Sequence, residues 1–407
     1  MRYAWTRVSR IPVPDRKDYG THTELVVSKA MQQARPFNKY ITQSLGSPLN
    51  RIEMRTSDSI RSELMGSLEL YGEVKKVGED LLRRKGHTKP RKSFQRLQAY
   101  LRQAKTFYEA AEPLHPRASP LNYYYSFMNF AKAAIFANDP HFADTNLKHG
   151  LTHALRPGRL KSQSLTVRVP GVFPAFYEVA TGTGLADKSK FRPIELLAYT
   201  SDVAFEYGQL GFGSPASCKC KFAIVIAMTN PPTSYPLIAV QGGNSLGFAS
   251  NLSILRKAFT QVELDPALAE RLFGFSAQIL PSVAFFEGKD SYPVESDYSI
   301  RPEPICLAVA TALKPIIWYV PFITDELFTL NRRIRTPKMQ PMNEMLAIYC
   351  CMFFFGSLVR YRPDYLEGML ATKEAWLIER FIKSAPLTFV RHLRNVLDGN
   401  YQALGAR

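Results

Sequence analysis

Acidic residues are scarce relative to basic ones in the N-terminal half of the sequence, but not in the C-terminal half. Thirty-five Asp and Glu stand against 52 Lys and Arg among 407 residues, a formal net charge of +17 at pH 7. Residues 1–200 hold 32 basic and 17 acidic side chains, whereas residues 201–407 hold 20 and 18. The deficit of acid in the N-terminal half predicts an anionic partner for that half.

Cysteine and long uncharged runs are also scarce. The 5 cysteines are an odd number, which excludes a fully paired disulfide framework and favours reduced thiols in a cytoplasmic protein. The first residues contain no apolar stretch typical of a secretory signal.

The strongest candidate for a membrane span, Met345–Val359, would be about 22 Å long as a helix, short of the roughly 30 Å hydrocarbon core. We therefore expect a buried core helix there.

The common enzyme motifs are missing, and we predict no cofactor and no metal site. The sequence has no phosphate-binding GxxxxGK[ST], no HExxH and no CxxC. One motif keeps an enzymatic alternative open: Gly243-Asn244-Ser245-Leu246-Gly247 follows an apolar run, as the nucleophile elbow of a serine hydrolase does. His392 is the one histidine after Ser245, so the hypothesis requires His392 as the base.

A second alternative is an RNA-targeting effector. The segment around Tyr123-Tyr124-Tyr125 is similar to a helix of HEPN proteins, a helical family that includes RNases. Those RNases carry an arginine separated from a histidine by four to six residues. Arg16 and His22 have that spacing, but they lie about a hundred residues before the tyrosines, and no histidine after Tyr125 follows an arginine at that spacing, so the resemblance supports the scaffold and not the nuclease chemistry.

Hydrophobic periodicity predicts an α+β fold. Helical patterns cover 61–82, 93–111, 119–138 and, after residue 340, most of the C-terminus, where Pro386 is expected to interrupt the last helix. Short apolar runs bounded by turn residues, Leu307–Thr311 among them, predict strands between these parts. We expect a helical N-terminal part and C-terminal helices packed around a central, mostly antiparallel sheet. The predicted regions are 1–160 (basic and mainly helical), 161–340 (mixed, with the sheet) and 341–407 (helical).

The strongest local feature is a tract without acid. Leu81–Tyr108 contains nine Lys and Arg and no Asp or Glu, and six of the nine lie within ten residues around Gly86 and Pro90. Such a loop is suited to a phosphate-bearing surface, although a solvated charged loop without a ligand has the same composition. The candidate binding residues here are Arg83, Arg84, Lys85, Lys89, Arg91, Lys92 and Arg96.

A second acid-free tract, Thr145–Tyr177, supplies further candidates: Lys148, His149, Arg156 and Arg159. His149 precedes Gly150, where its ring is placed either to bond a phosphate or to serve the structure. Arg360 and Arg362 follow the apolar run 345–359, and we favour a structural role for both at the end of that helix. Charge alone does not distinguish a lipid headgroup from nucleic acid.

Three segments together resemble the YaaC-like family of bacterial proteins. They are Ser119–Ala133 with its tyrosines, Lys148-His149-Gly150-Leu151 followed by Val169–Phe173, and Met352–Tyr365 followed by Trp376–Ile382. The resemblance covers about residues 91–397 and implies a cytoplasmic bacterial protein without an established catalytic site. It also implies a role in defence against bacteriophage. In that role the chain would sense an early infection component, an anionic lipid or membrane surface or nucleic acid, and recruit the second protein of a two-gene defence unit.

Overall fold

The structure is a computed structural model that describes residues 39–41, 52–54, 60–142, 148–227, 229–241, 249–295, 302–313, 317–321, 326–331, 334–335, 339–398 and 404–406. Thirteen α-helices lie in these residues: α1 (Ile60–Glu73), α2 (Lys75–Arg84), α3 (Pro90–Ala111), α4 (Ser119–Asn138), α5 (Val172–Thr181), α6 (Pro193–Leu197), α7 (Ala204–Gln209), α8 (Ala249–Ala258), α9 (Pro266–Phe273), α10 (Pro302–Leu313), α11 (Glu344–Tyr361), α12 (Pro363–Leu370) and α13 (Glu374–Asp398).

Fifteen strands lie in the same residues: β1 (Lys39–Ile41), β2 (Ile52–Met54), β3 (Leu151–Ala154), β4 (Ser164–Val167), β5 (Lys190–Phe191), β6 (Ser217–Ala227), β7 (Thr233–Gln241), β8 (Phe259–Val262), β9 (Val283–Gly288), β10 (Tyr292–Pro293), β11 (Ile317–Pro321), β12 (Glu326–Asn331), β13 (Ile334–Arg335), β14 (Met339–Gln340) and β15 (Leu404–Ala406). The predicted α+β class is confirmed.

Helices α3 and α4 follow the sequence pattern closely. In α3 the apolar stripe that includes Phe94, Leu97 and Leu101 is buried. The helix begins at Pro90, three residues before the predicted start, because a proline without an N–H is tolerated in the first turn. Helix α4 has the predicted bounds, with Ala118 rather than Ser119 at its N-cap.

The large sheet is antiparallel and has two apolar faces. Its strand order is β11-β12-β6-β7-β9-β8, with β1 also paired to β6 and β10 to β7. Because side chains alternate along a strand, Ile238 and Val240 pack with α8 and α10, while Leu237 and Ala239 pack with α9. The sheet is therefore covered by helices on both faces.

Two local predictions are wrong. The run Leu307–Thr311 lies inside helix α10 and not in a strand. Short apolar runs fit a buried helix as well as a strand, and here the helix covers the sheet. Pro386 does not interrupt the last helix. Helix α13 is 25 residues long, and Pro386 lies inside it. The neighbouring Ala385 and Phe389 are both fully buried, and this packing offsets the hydrogen bond that the proline cannot make.

The N-terminal and C-terminal helices share one core. The largest cluster of buried apolar side chains joins α1–α7 to α11–α13 and to the small sheet of β3, β4 and β5, while the large sheet has clusters of its own. In α11, every residue from Glu344 to Leu358 is buried. The predicted boundaries at residues 160 and 340 stay predictions.

Candidate functional site: a basic turn and a Tyr–His cluster on one helix

The turn between α2 and α3 is anchored to the C-terminal end of α4. His87 is buried, and its Nε2 lies 2.9 Å from the carbonyl oxygen of Phe136, with the two rings edge to face. The Lys85 ammonium donates to Oδ1 of Asn138 at 2.7 Å. Gly86 adopts φ +88°, a conformation that disfavours other residues. The basic turn is thus held in one place by contacts that the sequence alone did not indicate.

Three cations of the first acid-free tract form ion pairs with acidic residues that lie outside the tract. Arg83 forms an ion pair with Asp80. On α3, the Arg102 guanidinium bonds Glu73 at 2.6 Å, and the Lys105 ammonium lies 2.6 Å from Glu69. Carboxylates of α1 and α2, outside the sequence tract, therefore neutralise these three cations.

Arg96 contacts aromatic rings. Its guanidinium carbon lies 5.1 Å from the ring centre of Phe136 and 5.8 Å from that of Tyr100, and its Nε donates to the Tyr100 hydroxyl at 3.2 Å. The side chain is half-buried. Cation–π contact with Phe136 joins α3 to α4, so Arg96 stabilises the helix pair.

Three cations at the start of α3 have no acidic partner among the described residues. Lys89, Arg91 and Lys92, which we call the α3 N-terminal cations, are exposed, and within the described ranges none of them forms an ion pair. The first turn of α3 holds no acidic residue, and no side chain caps it. The positive end of the helix dipole adds to their field. Arg84 is exposed on the preceding helix.

The second acid-free tract lies elsewhere. Lys148, Arg156 and Arg159 are exposed, and the buried amide of Gln163 fixes the turn between the two arginines by bonding the backbone of Arg156. His149 contacts Tyr124, which precedes Phe136 by twelve residues on α4. At 1.5 Å per residue, His149 and the basic turn are about 20 Å apart. The structure therefore does not bring His149 to the α3 N-terminal cations.

Tyr124 and His149 form a short hydrogen bond. The Tyr124 hydroxyl lies 2.6 Å from Nδ1 of His149. Burial raises the pKa of Tyr124 well above its ordinary value, so the phenol keeps its proton. Burial, with Arg360 and Lys132 nearby, lowers the pKa of His149, so the ring is neutral at pH 7. In the tautomer in which Nδ1 accepts from the Tyr124 hydroxyl, the ring proton is on Nε2.

Aromatic side chains surround this pair. Phe353 of α11 lies 5.1 Å from the Tyr124 ring, 6.3 Å from His149 and 5.8 Å from His153. Tyr349, one turn earlier on α11, is fully buried, and its ring lies 5.9 Å from that of Tyr124. The Tyr–His pair therefore packs on the aromatic side chains of Tyr349 and Phe353 of α11.

The exposed rim of the cluster is cationic and aromatic. Arg360 donates to the Tyr125 hydroxyl at 2.8 Å and lies 5.0 Å from the ring centre of Tyr361. Tyr361 is 55% exposed and lies 6.0 Å from His153. Arg362, by contrast, pairs with Asp364 at 2.7 Å. Asp364 therefore holds Arg362, whereas Arg360 keeps an exposed guanidinium beside Tyr361, and the structural role expected for the two arginines stays a prediction.

Close backbone approaches fix the cluster. Gly150 has φ +77°, and a Cβ there would meet Pro174 at 2.4 Å; a Cβ on Gly171 would meet Gly150 at 2.2 Å. The Lys148 and His149 carbonyls accept from the amides of Val172 and Phe173. The segments 148–151 and 169–173 therefore fold as one unit that presents His149 to α4.

Sequence reasoning named His149 but missed its partners. Tyr124, Phe353 and Arg360 each stood in a segment that carries the family resemblance, and the structure brings all three segments together at this cluster. The signal that could have found the cluster was that coincidence, because residues so far apart in sequence share no local pattern.

The structure describes one of the two residues of the serine hydrolase alternative, His392. Ser245 lies outside the described residues. His392 is fully buried in α13, and its Nε2 lies 2.9 Å from Oε2 of Glu344, whose other oxygen accepts from the backbone and hydroxyl of Ser201. Burial acts to raise the pKa of Glu344, but the bonds from His392 and Ser201 outweigh it and lower the pKa. This arrangement ties α11 to α13.

Within the described ranges, no group of three His, Cys, Asp or Glu is placed to hold a metal ion. Helix α11 is long and apolar enough to cross a membrane, but 83% of it is buried inside the protein, as expected of a core helix.

Comparison with known proteins gives one match. No curated protein and no solved structure matches the chain. The family model described as YaaC-like Protein matches residues 74–397. That range starts near the beginning of α2 and includes the basic turn and the whole Tyr–His cluster. With well over half of its length matched, the chain belongs to the YaaC-like family.

Proposed function

We propose that the protein is a non-enzymatic sensor that binds a phosphate-bearing surface through the α3 N-terminal cations. One observation carries the proposal: Lys89, Arg91 and Lys92 are exposed around a helix N-terminus that has no acid in its first turn, and none of them pairs with a described residue. Unpaired cations at such a site gain the full attraction of a phosphate.

The anchoring of the turn supports this assignment. His87, Lys85 and Arg96 fasten α2 and α3 to the end of α4, so the three free cations are held in place. A fixed arrangement loses less side-chain and backbone entropy on binding than a mobile loop does. The paired cations Arg83, Arg102 and Lys105 are not part of the proposed surface.

The biological setting comes from resemblance. The segments that resemble the YaaC-like family also resemble JukA, the sensing member of a two-gene anti-phage pair with JukB. By that resemblance the protein acts in the cytoplasm, peripheral to a membrane surface when bound, senses an early infection component and recruits a second protein. Co-purification with the product of the adjacent gene tests recruitment.

The binding experiment uses two matched triple variants. One replaces Lys89, Arg91 and Lys92 by Gln; the control replaces Lys190, Lys257 and Arg271, which are exposed cations outside both acid-free tracts. At about 1 kcal/mol for each cation near an anionic surface, the first variant loses roughly 3 kcal/mol, or about 100-fold in affinity. Equal loss in both variants would mean that only net charge matters, which contradicts the proposal.

Two ligands distinguish the source of the phosphate. Vesicles of phosphatidylglycerol with phosphatidylcholine test the lipid headgroup, with pure phosphatidylcholine as the uncharged reference. A 30-base-pair DNA duplex and a matched RNA test nucleic acid. Retention on one class, lost only in the Lys89/Arg91/Lys92 variant, assigns the surface to that class. Retention on none at moderate salt contradicts the proposed function.

A further inference from the structure

A second place in the molecule combines unpaired polar groups with exposed aromatic faces. It is the rim of the Tyr–His cluster, formed by His149, His153, Arg360 and Tyr361. It lies about 20 Å along α4 from the basic turn, and the inference drawn from it does not depend on the proposed function.

The Nε2 atom of His149 has no partner among the described residues. The Tyr124 hydroxyl lies 2.6 Å from the other ring nitrogen, Nδ1, and in the tautomer in which that hydroxyl donates, the ring proton is on Nε2, on the side of the ring away from Tyr124. In the part of the chain that the structure describes, nothing accepts from this N–H, and the side chain is half-buried. A half-buried donor of this kind is suited to a ligand oxygen.

Positive charge surrounds the donor. Arg360 and Lys132 both act electrostatically on His149, and both lower its pKa. Arg360 uses one nitrogen, Nη1, to bond Tyr125 and is otherwise exposed; within the described residues it forms no ion pair. The guanidinium therefore has donors left for an oxyanion.

Aromatic faces lie beside the charged groups. Tyr361 is 55% exposed, and His153 is half-buried 6.0 Å from it. A flat ring that stacks on Tyr361 would lie next to the Arg360 guanidinium, which is 5.0 Å from the Tyr361 ring centre. Stacking on an aromatic side chain is favourable for any nucleobase.

We propose that this rim binds a nucleoside monophosphate, with the phosphate on His149 Nε2 and Arg360 and the base on Tyr361 and His153. A phosphate alone would use only the cationic half of the site. A nucleoside alone would use only the aromatic half. The ligand class therefore follows from the adjacency of the two halves.

The test observes His149 directly. In protein labelled with 13C-histidine, the ring signal of His149 is assigned by its loss in the His149→Gln variant. Adenosine 5′-monophosphate, adenosine and inorganic phosphate are titrated separately at pH 7. We expect the monophosphate to shift the His149 signal and to bind at least about tenfold more tightly than either part, because both halves of the site are then engaged. Absence of any shift at 10 mM of the monophosphate overturns the proposal.

Arg360 and Arg362 are two positions apart and provide a variant and its matched control. Arg360→Gln removes the proposed phosphate ligand and should weaken binding about tenfold or more. Arg362→Gln makes the same change of charge at a residue that pairs with Asp364, and it should leave binding unchanged. Equal weakening by both substitutions would overturn the proposal, as would phosphate binding as tightly as the monophosphate. Both arginines end an otherwise buried helix, so unfolding curves of the two variants check that the fold is intact.

Discussion

The Tyr124 hydroxyl and Nδ1 of His149 form a hydrogen bond of 2.6 Å, and the direction of that bond determines which ring nitrogen carries the proton. This bond joins α4 to the segment before β3, two parts of the chain that are 25 residues apart. Burial keeps the Tyr124 phenol protonated and the His149 ring neutral at pH 7. The pair is therefore a fixed structural feature at pH 7 from which the properties of the cluster follow.

Removing the donor tests this relationship. Tyr124→Phe should lower the free energy of unfolding by about 1 kcal/mol, the usual net value of one hydrogen bond. It should also release the tautomer, so that 15N ring shifts of His149 show both neutral forms. Tyr125→Phe removes the acceptor of Arg360 and should leave the His149 tautomer unchanged. An unaltered tautomer in Tyr124→Phe would contradict the assignment.

The pH dependence of stability follows from the histidines. The pKa values of His149 and His153 are lowered in the folded protein, chiefly by burial, so the unfolded chain binds more protons near pH 6.5. Their contribution is complete above the unfolded pKa of about 6.5 and is lost as the pH falls below it. Arg360 and Lys132 face His149, and their positive charges add to the lowering of its pKa.

Urea unfolding at pH 7.5 and pH 6.0 measures this effect. The decrease in the free energy of unfolding between the two pH values should be smaller in His149→Gln than in the wild type, because the variant lacks one of the groups that must gain a proton. An equal decrease in both proteins would show that His149 does not contribute.

The buried pair of Glu344 and His392 predicts a large effect of substitution. Glu344→Gln leaves its partners without a carboxylate in the core and should destabilise the protein by about 3–5 kcal/mol. Glu195→Gln is the matched control, because Glu195 pairs with Arg192 at the exposed surface, where a pair contributes about 1 kcal/mol or less. Thermal unfolding of both variants gives the comparison, and similar midpoints would contradict the account.

The close approach at Gly150 predicts that a single methyl group is not tolerated. Gly150→Ala places a side chain at φ +77° and 2.4 Å from Pro174, so a loss of about 2 kcal/mol or more is expected. Gly208→Ala adds a methyl group where nothing lies within 4 Å, and it should be neutral or slightly stabilising. Calorimetric midpoints check the difference, and an unchanged midpoint for Gly150→Ala would contradict the predicted clash.

The sequence pattern alone was enough to predict the helices in which buried apolar residues recur at helical spacing. Helix α4 has the predicted bounds because Pro120 and the Asn138-Asp139-Pro140 segment mark its two ends. The run Leu307–Thr311 and Pro386 were misassigned because packing against the sheet and within the helical core decided their structure. Tertiary context overrides local preference at such positions.

The candidate sites were only partly predictable for a related reason. The sequence predicted a basic turn here, and the structure shows that the α3 N-terminal cations are exposed; their binding role stays a prediction. The sequence did not show that Glu69 and Glu73 neutralise Lys105 and Arg102, because these acids lie on α1, outside the tract. The contact of His149 with Tyr124 depends on the fold of Gly150 against Gly171, which no spacing reveals.

The most direct test of the central claim is the salt dependence of binding to whichever phosphate surface retains the protein. Dissociation constants of the wild type and of the Lys89, Arg91 and Lys92 triple variant would be measured between 50 and 200 mM NaCl. Each phosphate contact contributes roughly one unit to the slope of log affinity against log salt on nucleic acid. We predict that the wild-type slope is steeper than the variant's by about three there, and steeper on anionic vesicles as well. Parallel slopes with equal affinities would contradict the claim that the α3 N-terminal cations are the binding surface.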